Sequence, residues 1–364
     1  MSSPTTAPVV NLPRRLLDIS TIYHEPNIES FPRAVEILAR FPDAERIEVP
    51  SHWKIPGLHG NEGSASDWLR IKRNVLVLGA RKSLKCEENT RSSDFIAPGM
   101  SNGCASACSY CYVPRQKGFA NPITTFVNIE QITAFLRRHA ARQGMKLQAT
   151  APDDELWVYE LGCNSDMSID AAVSDNVRDL VDLFKTIPNA KCTWATKWVN
   201  RDLLDYDPQG KTRIRFSLMP HAMSRLVDVR TSPISERIAA INDFVEAGYE
   251  VNVNFSPVIV RDGFLDDYDA LFEEVNDSLS DKAKAQLEAE VIFLTHNAAL
   301  HEVNMAWHPK AEEVLWTPHL QETKVSGGGG VNVRYKVRLK QPLVAQFQER
   351  LRAKMPYCRV RYAF

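Results

Sequence analysis

Three cysteines, Cys104, Cys108 and Cys111, lie close together in one short stretch of the chain. Their C-x3-C-x2-C spacing lets a compact loop turn three thiolates toward one point, which is typical of iron–sulfur proteins. A [4Fe–4S] cluster normally takes four cysteine ligands, so a loop that supplies three leaves one iron open to a non-protein ligand. The loop therefore predicts a redox-active cluster with one iron available for chemistry.

Structural zinc and a disulfide are the alternatives for this loop. Structural zinc usually takes four ligands from two separated pairs, whereas this chain has one C-x2-C pair and would need a distant His or Cys as well. The chain has seven cysteines, an odd number, and its N-terminus carries no apolar signal segment. These features favour the cluster and indicate a reducing, cytoplasmic compartment.

The composition bounds the class of protein. With 364 residues and 44% hydrophobic content, the chain can bury a full core as one large α/β domain or two smaller ones. No apolar stretch approaches the roughly 20 residues that span a bilayer, so no membrane partner is expected. Lys plus Arg (44) nearly balances Asp plus Glu (45), so the net charge alone neither indicates nor excludes a polyanionic partner.

The segment from Lys324 to Phe364 is strongly basic, with ten Lys or Arg residues against a single acid, Glu349. Within it, residues 331–340 alternate apolar and polar side chains, which predicts a half-buried strand with a cationic outer face. Such a face either protects a sheet edge from aggregation or follows a DNA backbone. The candidate DNA contacts are Lys324, Arg334, Lys336, Arg338 and Lys340.

Short apolar strands alternate with amphipathic helices about six times along the middle of the chain. This alternation is typical of βα units and a parallel sheet, and six units predict an α/β fold with a partial (β/α)6 TIM-type barrel. The predicted strands are 94–98, 157–161, 192–195, 213–218, 250–255 and 290–294. The predicted helices are 129–142, 171–186, 200–204, 233–247 and 266–289.

The remaining segments complete a four-part division of the chain. Residues 1–20 are expected to form a mobile tail, and 21–92 an N-terminal extension with a helix near 31–40 and a strand at 74–79. Residues 93–300 form the partial barrel. Residues 301–364 are expected to form a basic hairpin, helix and strand that face the substrate or DNA.

Candidate functional residues recur at the ends of the predicted barrel strands, where such barrels carry their active sites. The cysteine loop follows the first strand, and polar residues follow the later strands. Taken alone, each of these later residues could have an ordinary structural role, such as a helix cap or a core hydroxyl. Their joint placement around one rim favours a shared site. In strand order these residues are Cys163, Asn164, Ser165 and Asp166, then Lys197, Ser217, Ser256 and His296.

The motifs together resemble the spore photoproduct lyase family of the radical S-adenosylmethionine superfamily, from about residue 20 to the end of the chain. The motifs that carry the resemblance are Gly103–Tyr112, Glu160-x2-Cys163-x-Ser-Asp166, Ala195–Trp198, Lys211–Ser217, Thr231-Ser-Pro-x4-Arg237 and Cys358–Phe364. The resemblance implies a DNA-repair lyase whose cofactors are a [4Fe–4S] cluster and S-adenosylmethionine. In that family, reductive cleavage of S-adenosylmethionine gives a 5′-deoxyadenosyl radical, which takes hydrogen from a thymine dimer that then reverts to two thymines.

The resemblance also implies individual roles. Cys104, Cys108 and Cys111 match the cluster ligands, and Cys163 matches a cysteine that returns hydrogen to the product radical. Because an S–H bond is weaker than most C–H bonds, a thiol can quench a carbon radical. The alternative for a cysteine, a small buried hydrophobe, suits Cys86, Cys192 and Cys358 better than Cys163.

Two tyrosines and several polar residues complete the implied site. Tyr110 and Tyr112 match residues that relay the radical back to the cofactor, with aromatic packing beneath the loop as their alternative. The implied S-adenosylmethionine contacts are Ser165, Lys197, Ser217, Ser256 and Tyr110. The implied partners are damaged DNA and a reductant such as flavodoxin or ferredoxin, and the protein is expected to be a monomer.

The C-terminal hairpin departs from the family pattern. The family carries an Arg-Tyr pair and further aromatics there, whereas this chain has Lys324 followed by the glycines Gly327 to Gly330. Glycines permit a tight turn but offer no ring on which a flipped base could stack. The substrate therefore stays open between spore photoproduct or a related thymine lesion and, for an enzyme of the same lineage, another pyrimidine adduct or a non-DNA substrate. A non-catalytic protein with a structural metal loop is a third alternative.

Overall fold

The structure is a computed structural model that describes residues 16–60, 62–113, 118–325 and 330–364. Most of the predicted tail over 1–20, and Gly327 to Gly329 of the hairpin turn, lie outside the described residues. The strands are β1 (Thr21–His24), β2 (Glu45–Glu48), β3 (Val75–Gly79), β4 (Glu87–Glu88), β5 (Phe95–Ile96), β6 (Ser101–Asn102), β7 (Ile123–Phe126), β8 (Trp157–Glu160), β9 (Ala190–Thr196), β10 (Thr212–Ser217), β11 (Glu250–Val258), β12 (Glu288–Phe293), β13 (Thr295–Asn297), β14 (Gln321–Val325), β15 (Val331–Tyr335) and β16 (Arg359–Ala363).

Helices connect most of these strands. They are α1 (Pro32–Arg40), α2 (Ala65–Asn74), α3 (Ile129–Gln143), α4 (Met167–Asp170), α5 (Asn176–Lys185), α6 (His221–Val227), α7 (Ile234–Glu246), α8 (Phe264–Ser278), α9 (Asp281–Lys284), α10 (Ala298–Trp307), α11 (Pro309–Leu315) and α12 (Val337–Lys354). Single 3-10 turns occupy Ile28–Ser30 and Arg201–Tyr206.

The largest sheet has eight strands in the order β16-β12-β11-β10-β9-β8-β5-β4. Six of these strands run parallel and in sequence order, so the predicted partial barrel is confirmed. They are β5, β8, β9, β10, β11 and β12. Strands β9, β10 and β11 are buried along nearly their whole length, because helices cover one face of the sheet and a charged barrel interior fills the other. The fold thus brings the carboxyl ends of six strands to one rim.

The helices predicted between these strands are present, with three corrections. The predicted helix over 200–204 is the 3-10 helix Arg201–Tyr206. The predicted helix over 171–186 begins only at Asn176, after the separate short helix α4. The predicted helix over 266–289 is two helices, because Leu279 is extended and the Ser280 hydroxyl caps α9 by accepting a hydrogen bond from the Ala283 amide at 3.2 Å. The chain from Glu288 onward is already strand β12.

The N-terminal extension forms a second sheet in the order β2-β1-β3-β7-β6. The predicted helix near 31–40 and strand at 74–79 correspond to α1 and β3. Strands β6 and β7 come from beyond residue 93 but pair with this sheet, so the extension and the barrel share the segment that carries the cysteine loop. The division of the chain at residue 92 stays a prediction.

The C-terminal segment contains the predicted hairpin, helix and strand. Strands β14 and β15 pair antiparallel, and β16 joins the barrel sheet beside β12 in parallel. The predicted strand over 331–340 is wrong beyond Tyr335, because helix α12 begins at Val337. Arg338 and Lys340 therefore lie on a helix and not on a strand face.

The reason for this error is a helical pattern that overlaps the alternating one. Leu343, Phe347 and Leu351 recur every four residues and pack against the barrel core, which a helix satisfies and a strand does not. The short alternation before them also fits the first turn of that helix. No helix in the described part of the chain has the length and apolar character needed to cross a membrane.

Candidate active site

A cavity of about 770 Å³ opens at the rim where the parallel strands end. Its walls combine the cysteine loop with residues from five barrel strands or the loops after them, so the predicted convergence on one rim is observed for most of the residues. The predicted site residues that line it are Cys104, Cys108, Tyr110, Cys111, Tyr112, Cys163, Ser165, Asp166, Lys197, Ser217, Ser256 and Lys324.

The cysteine loop is held by its backbone. Gly103 has a φ of 92°, and a Cβ at this position would overlap the Pro122 carbonyl, so the loop can start here only with glycine. The Gly103 amide donates to the Asn164 carbonyl at 2.9 Å, and the Ser109 amide donates to the Val227 carbonyl at 3.0 Å. The loop is therefore anchored to the Cys163 segment on one side and to α6 on the other.

The three thiols of this loop face the cavity in a setting that disfavours free thiolates. Burial raises the pKa of Cys104 to about 12, and burial together with Asp228 raises the pKa of Cys108 well above its ordinary value. Lys72 opposes this effect at Cys104 and Lys197 opposes it at Cys108; Lys72 is a buried lysine that donates to the Cys104 carbonyl at 3.0 Å. Ligation by these thiols thus requires the positive charge of bound metal.

Tyr110 and Tyr112 extend from the loop in different directions. The Tyr110 hydroxyl donates to the Asp228 carboxylate, and burial followed by Asp228 raises its pKa well above the ordinary value. Tyr112 is 51% exposed, and its hydroxyl donates to the Cys163 carbonyl at 2.5 Å. The two rings therefore contact both sides of the cavity, and their predicted relay role stays a prediction.

Cys163 lies in the loop after β8, with its side chain lining the cavity. Burial, followed by the neighbouring Glu160, raises the pKa of this thiol to about 11. At neutral pH the sulfur therefore keeps its hydrogen. A protonated thiol is the form that can donate a hydrogen atom.

Lys197 and Ser256 are brought together by the ends of β9 and β11. The Lys197 amide donates to Asp166 at 3.0 Å, and its Nζ donates to the Ser256 carbonyl at 3.3 Å while lying 5.6 Å from the centre of the Tyr110 ring. Ser256 lies within β11 and not after it, and it contacts Lys197 through its backbone. The Lys197 ammonium is thus positioned inside the cavity.

Ser165 belongs to a buried chain of polar side chains. The Ser101 hydroxyl lies 2.8 Å from the Ser165 hydroxyl and also donates to the Asp170 carboxyl. Burial raises the pKa of Asp170 to about 7, and its second oxygen has no hydrogen-bond partner, which suits a protonated carboxyl. The orientation of Ser165 is therefore tied to a group that titrates near neutral pH.

This titration predicts a pH dependence of stability. A carboxyl whose folded pKa is about 7 and whose ordinary value is 3.8 binds more protons when folded, so stability falls as pH rises from about 4 to 7. The loss is on the order of 4 kcal/mol at most. We expect Asp170→Asn to remove this dependence, measured as the change in thermal midpoint between acidic and neutral pH. Asp207→Asn, on an exposed turn, should keep it, and equal slopes for wild type and Asp170→Asn would contradict the assignment.

A buried ion network in the cavity wall was missed by sequence reasoning. Arg215 pairs with Glu160 and, at 2.8 Å, with Glu290, which also pairs with Arg361 at 2.8 Å. The signal was present, because Arg213 and Arg215 alternate with apolar residues along a strand predicted to be buried. The network holds the walls beside Cys163 rigid.

Two further residues at the cavity mouth were missed for lack of any local signal. The Arg91 guanidinium stacks on the Phe364 ring at 3.9 Å, although the two are distant in sequence, and both line the cavity. Burial, followed by the charges of Arg334 and Lys324, with a smaller contribution from Arg91, lowers the pKa of Lys340. These four cations therefore form one group near the mouth.

Some of the residues predicted to contact DNA already pair with other groups of the protein. Arg334 pairs with Glu322 at 3.0 Å, and Lys336 donates to the His319 carbonyl at 2.8 Å. Lys324 and Arg338 are exposed. The later basic residues pair with acids of the barrel and so attach α12 and β16 to it: Arg350 with Asp266 and Asp269, Lys354 with Glu273, Arg359 and Arg361 with Glu288.

His296 does not belong to this site, contrary to the predicted placement of all these residues on the rim. It is fully buried, lies on β13 and contacts Glu312 and not the cavity. The reason is that β13 follows β12 after one residue and turns into the small antiparallel sheet.

Solved structures of spore photoproduct lyases share this fold. A mutant with bound AdoMet and dinucleoside spore photoproduct aligns with a TM-score of 0.85 and 22% identity, covering 96% of this chain and 99% of that one. A spore photoproduct lyase complexed with dinucleoside spore photoproduct aligns with the same values. At this identity the likeness establishes the fold.

Curated relatives and a family model establish the family. The spore photoproduct lyase of Bacillus subtilis (strain 168) is 28% identical over 274 residues, 74% of this chain and 77% of that protein. The spore photoproduct lyase of Geobacillus sp. (strain Y412MC61) is 27% identical over the same shares. The model of the family described as spore photoproduct lyase matches residues 18–364. The chain belongs to the spore photoproduct lyase family.

Proposed function

We propose that this protein is a radical S-adenosylmethionine lyase that reverts a thymine dimer photoproduct, spore photoproduct or a close relative of it, to two thymines. The observation that carries the proposal is one cavity joining a three-cysteine loop to Cys163, whose pKa of about 11 preserves its S–H bond. Membership of the spore photoproduct lyase family supports the same reaction.

The cofactors follow from the residues that line the cavity. Cys104, Cys108 and Cys111 would hold three corners of a [4Fe–4S] cluster, which their C-x3-C-x2-C spacing and their shared place in the cavity wall both favour. A structural relative contains bound AdoMet, which supports the same cofactor here. When bound, cluster and S-adenosylmethionine supply an electron transfer that gives a carbon radical able to take hydrogen from the substrate.

The chain's own residues would orient S-adenosylmethionine. The Lys197 ammonium is held at the Ser256 carbonyl and is free to bind a carboxylate or ribose oxygen in the cavity. The hydroxyls of Ser165 and Ser217 line the same cavity and offer further hydrogen bonds. A flavodoxin or ferredoxin would supply the electron, and the protein would act as a monomer.

Cys163 would complete the reaction. Its S–H bond breaks and a C–H bond forms on the product radical, which leaves the unpaired electron on sulfur. Tyr112 and Tyr110 would then relay the radical back toward the cofactor, as hydrogen passes in the opposite direction and restores the S–H bond of Cys163. Asp228, which accepts the hydrogen bond of the Tyr110 hydroxyl, is placed to receive the phenolic proton when that ring is oxidised.

The substrate would enter at the mouth. Lys324 lines the cavity and belongs to the group with Arg91, Arg334 and Lys340, which suits the phosphates that flank a lesion. Phe364 provides an aromatic surface that the glycines of the hairpin do not, and flipped bases are commonly held by such rings. A different pyrimidine adduct is the second candidate, favoured by the hairpin sequence, which has Lys324 followed by glycines where the family pattern has an Arg-Tyr pair and further aromatics.

The test is to offer the reduced, reconstituted enzyme a set of defined thymine dimers, each in an oligonucleotide and as a dinucleoside, and to measure thymine recovery. We expect spore photoproduct to be repaired in both forms. Cleavage of S-adenosylmethionine without thymine recovery from any lesion would contradict a thymine-dimer substrate and favour the second candidate.

The same assay tests the cationic mouth. Lys324→Ala should raise the KM for the oligonucleotide by about threefold to tenfold and make the salt dependence of that KM shallower, because one phosphate contact is lost. The KM for the dinucleoside should change little. Lys282→Ala, which removes a lysine paired with Glu246 on the outer surface, is the matched control and should behave as wild type. Equal effects of the two variants would remove Lys324 from the DNA contacts.

A further inference from the structure

We propose that His296, His301 and Glu312 form a second metal site, distinct from the cysteine loop, that binds one divalent ion of the zinc class. One nitrogen from each ring and one carboxylate oxygen lie within 4.8 Å of one another. The site lies beside the cavity but does not line it, and it is independent of the proposed lyase reaction.

Three different elements bring these ligands together. His296 is on β13, His301 is on α10 and Glu312 is on α11. The His296 Nε2 lies 2.9 Å from one Glu312 oxygen, and the His301 Nδ1 lies 2.5 Å from the other. Both imidazoles thus direct a nitrogen at the same carboxylate. A small outward shift of each ring would create room for an ion between them.

The charge of the group formed by His296, His301 and Glu312 favours a bound cation. Glu312 is only 3% exposed, and in the described part of the chain the ion-pair partners of its carboxylate are histidines and not Lys or Arg. A buried carboxylate needs compensating charge. A divalent ion held between the carboxylate and the two imidazoles would supply that charge.

The ligand set indicates which ion. Two imidazole nitrogens with one carboxylate oxygen form a common three-ligand zinc site with one open position, whereas magnesium and calcium prefer oxygen ligands. Zinc–nitrogen bonds of about 2.0–2.1 Å in a tetrahedral site place any two ligand atoms roughly 3.4 Å apart. The present separations, all within 4.8 Å, need to change by roughly 1.5 Å at most to reach that distance.

The surrounding residues hold the ligands in place and connect them to the cysteine loop. The His301 ring stacks on Trp316 with a centroid distance of 4.0 Å and an angle of 7°, which fixes its plane. The Asn304 amide donates both to Glu312 at 2.6 Å and to the Ser109 carbonyl at 2.5 Å. Ser109 lies between two cysteines of the loop. Metal at this site would therefore clamp β13, α10 and α11 against the cysteine loop.

The test measures metal content and needs no substrate. The full chain, with its cluster reconstituted, is exposed to equimolar zinc, desalted and analysed for zinc and iron by mass spectrometry. We expect about one zinc ion per chain. His301→Ala and Glu312→Gln should each lower zinc affinity about tenfold or more while iron content is unchanged. His319→Ala, which removes an exposed histidine outside the cluster, should bind zinc as wild type does.

A second variant separates this site from the cysteines. The Cys104→Ala/Cys108→Ala/Cys111→Ala triple variant should retain its zinc, and cobalt in place of zinc should give visible absorption that is lost when His301→Ala is added. Loss of zinc from the triple variant, or equal zinc in wild type and Glu312→Gln, would overturn the proposal. His296, His301 and Glu312 would then be a hydrogen-bonded His-Glu-His group that binds no metal.

Discussion

Cys163→Ala is expected to leave cleavage of S-adenosylmethionine intact while lowering thymine recovery by about tenfold or more. The thiol lies at the cavity wall and keeps its hydrogen because burial holds its pKa at about 11. Without it, the product radical has no nearby S–H bond and reacts with other molecules. The measurement is a product profile by mass spectrometry, with methionine formation followed in parallel.

The control for this variant is Cys86→Ala. Cys86 is partly buried against the core and does not line the cavity, so its loss should leave both cleavage and thymine recovery unchanged. If Cys163→Ala gives the wild-type product at the wild-type yield, another group donates the hydrogen and the assignment of Cys163 is wrong.

Replacing any one of Cys104, Cys108 and Cys111 with alanine is expected to lower S-adenosylmethionine cleavage by at least about a hundredfold, with loss of cluster absorption and iron. Each thiol faces the same cavity from a loop that supplies no spare ligand in the described residues. The measurements are iron content and methionine release after reduction. Repair is lost in these variants because it depends on cleavage of S-adenosylmethionine.

The two cysteine predictions have opposite signatures. A cluster variant loses iron, cleavage and repair together, whereas Cys163→Ala loses repair alone. Zinc at the His296 site should persist in both, which separates general unfolding from loss of one function. A cluster variant that still cleaves S-adenosylmethionine at the wild-type rate would exclude that cysteine from the ligand set.

The barrel was predictable because each buried parallel strand reads as a short apolar run bounded by polar turns. The strand ends also identified most of the cavity, since residues such as Lys197 and Ser217 follow directly from strand order. Two kinds of residue escaped this logic. Arg91 and Phe364 meet only through tertiary structure, and His296 follows a barrel strand but turns into another sheet.

Overlapping periodicities explain the error at the C-terminal segment. Ten residues that alternate in polarity also fit a strand followed by the first turn of a helix, and only the packing of Phe347 against the barrel decides between the two. The segment is basic as a whole, yet Arg359 and Arg361 pair with Glu288. Composition reports a basic segment without reporting which charges are already neutralised.

Two hydrogen bonds join the cysteine loop to the Cys163 loop, one from the Gly103 amide and one from the Tyr112 hydroxyl. The place where a radical would begin and the place where it would end thus belong to a single rigid frame. Under the proposed mechanism, the span between these two places is built into the folded chain, so a product radical would meet its hydrogen donor without waiting for a loop to close.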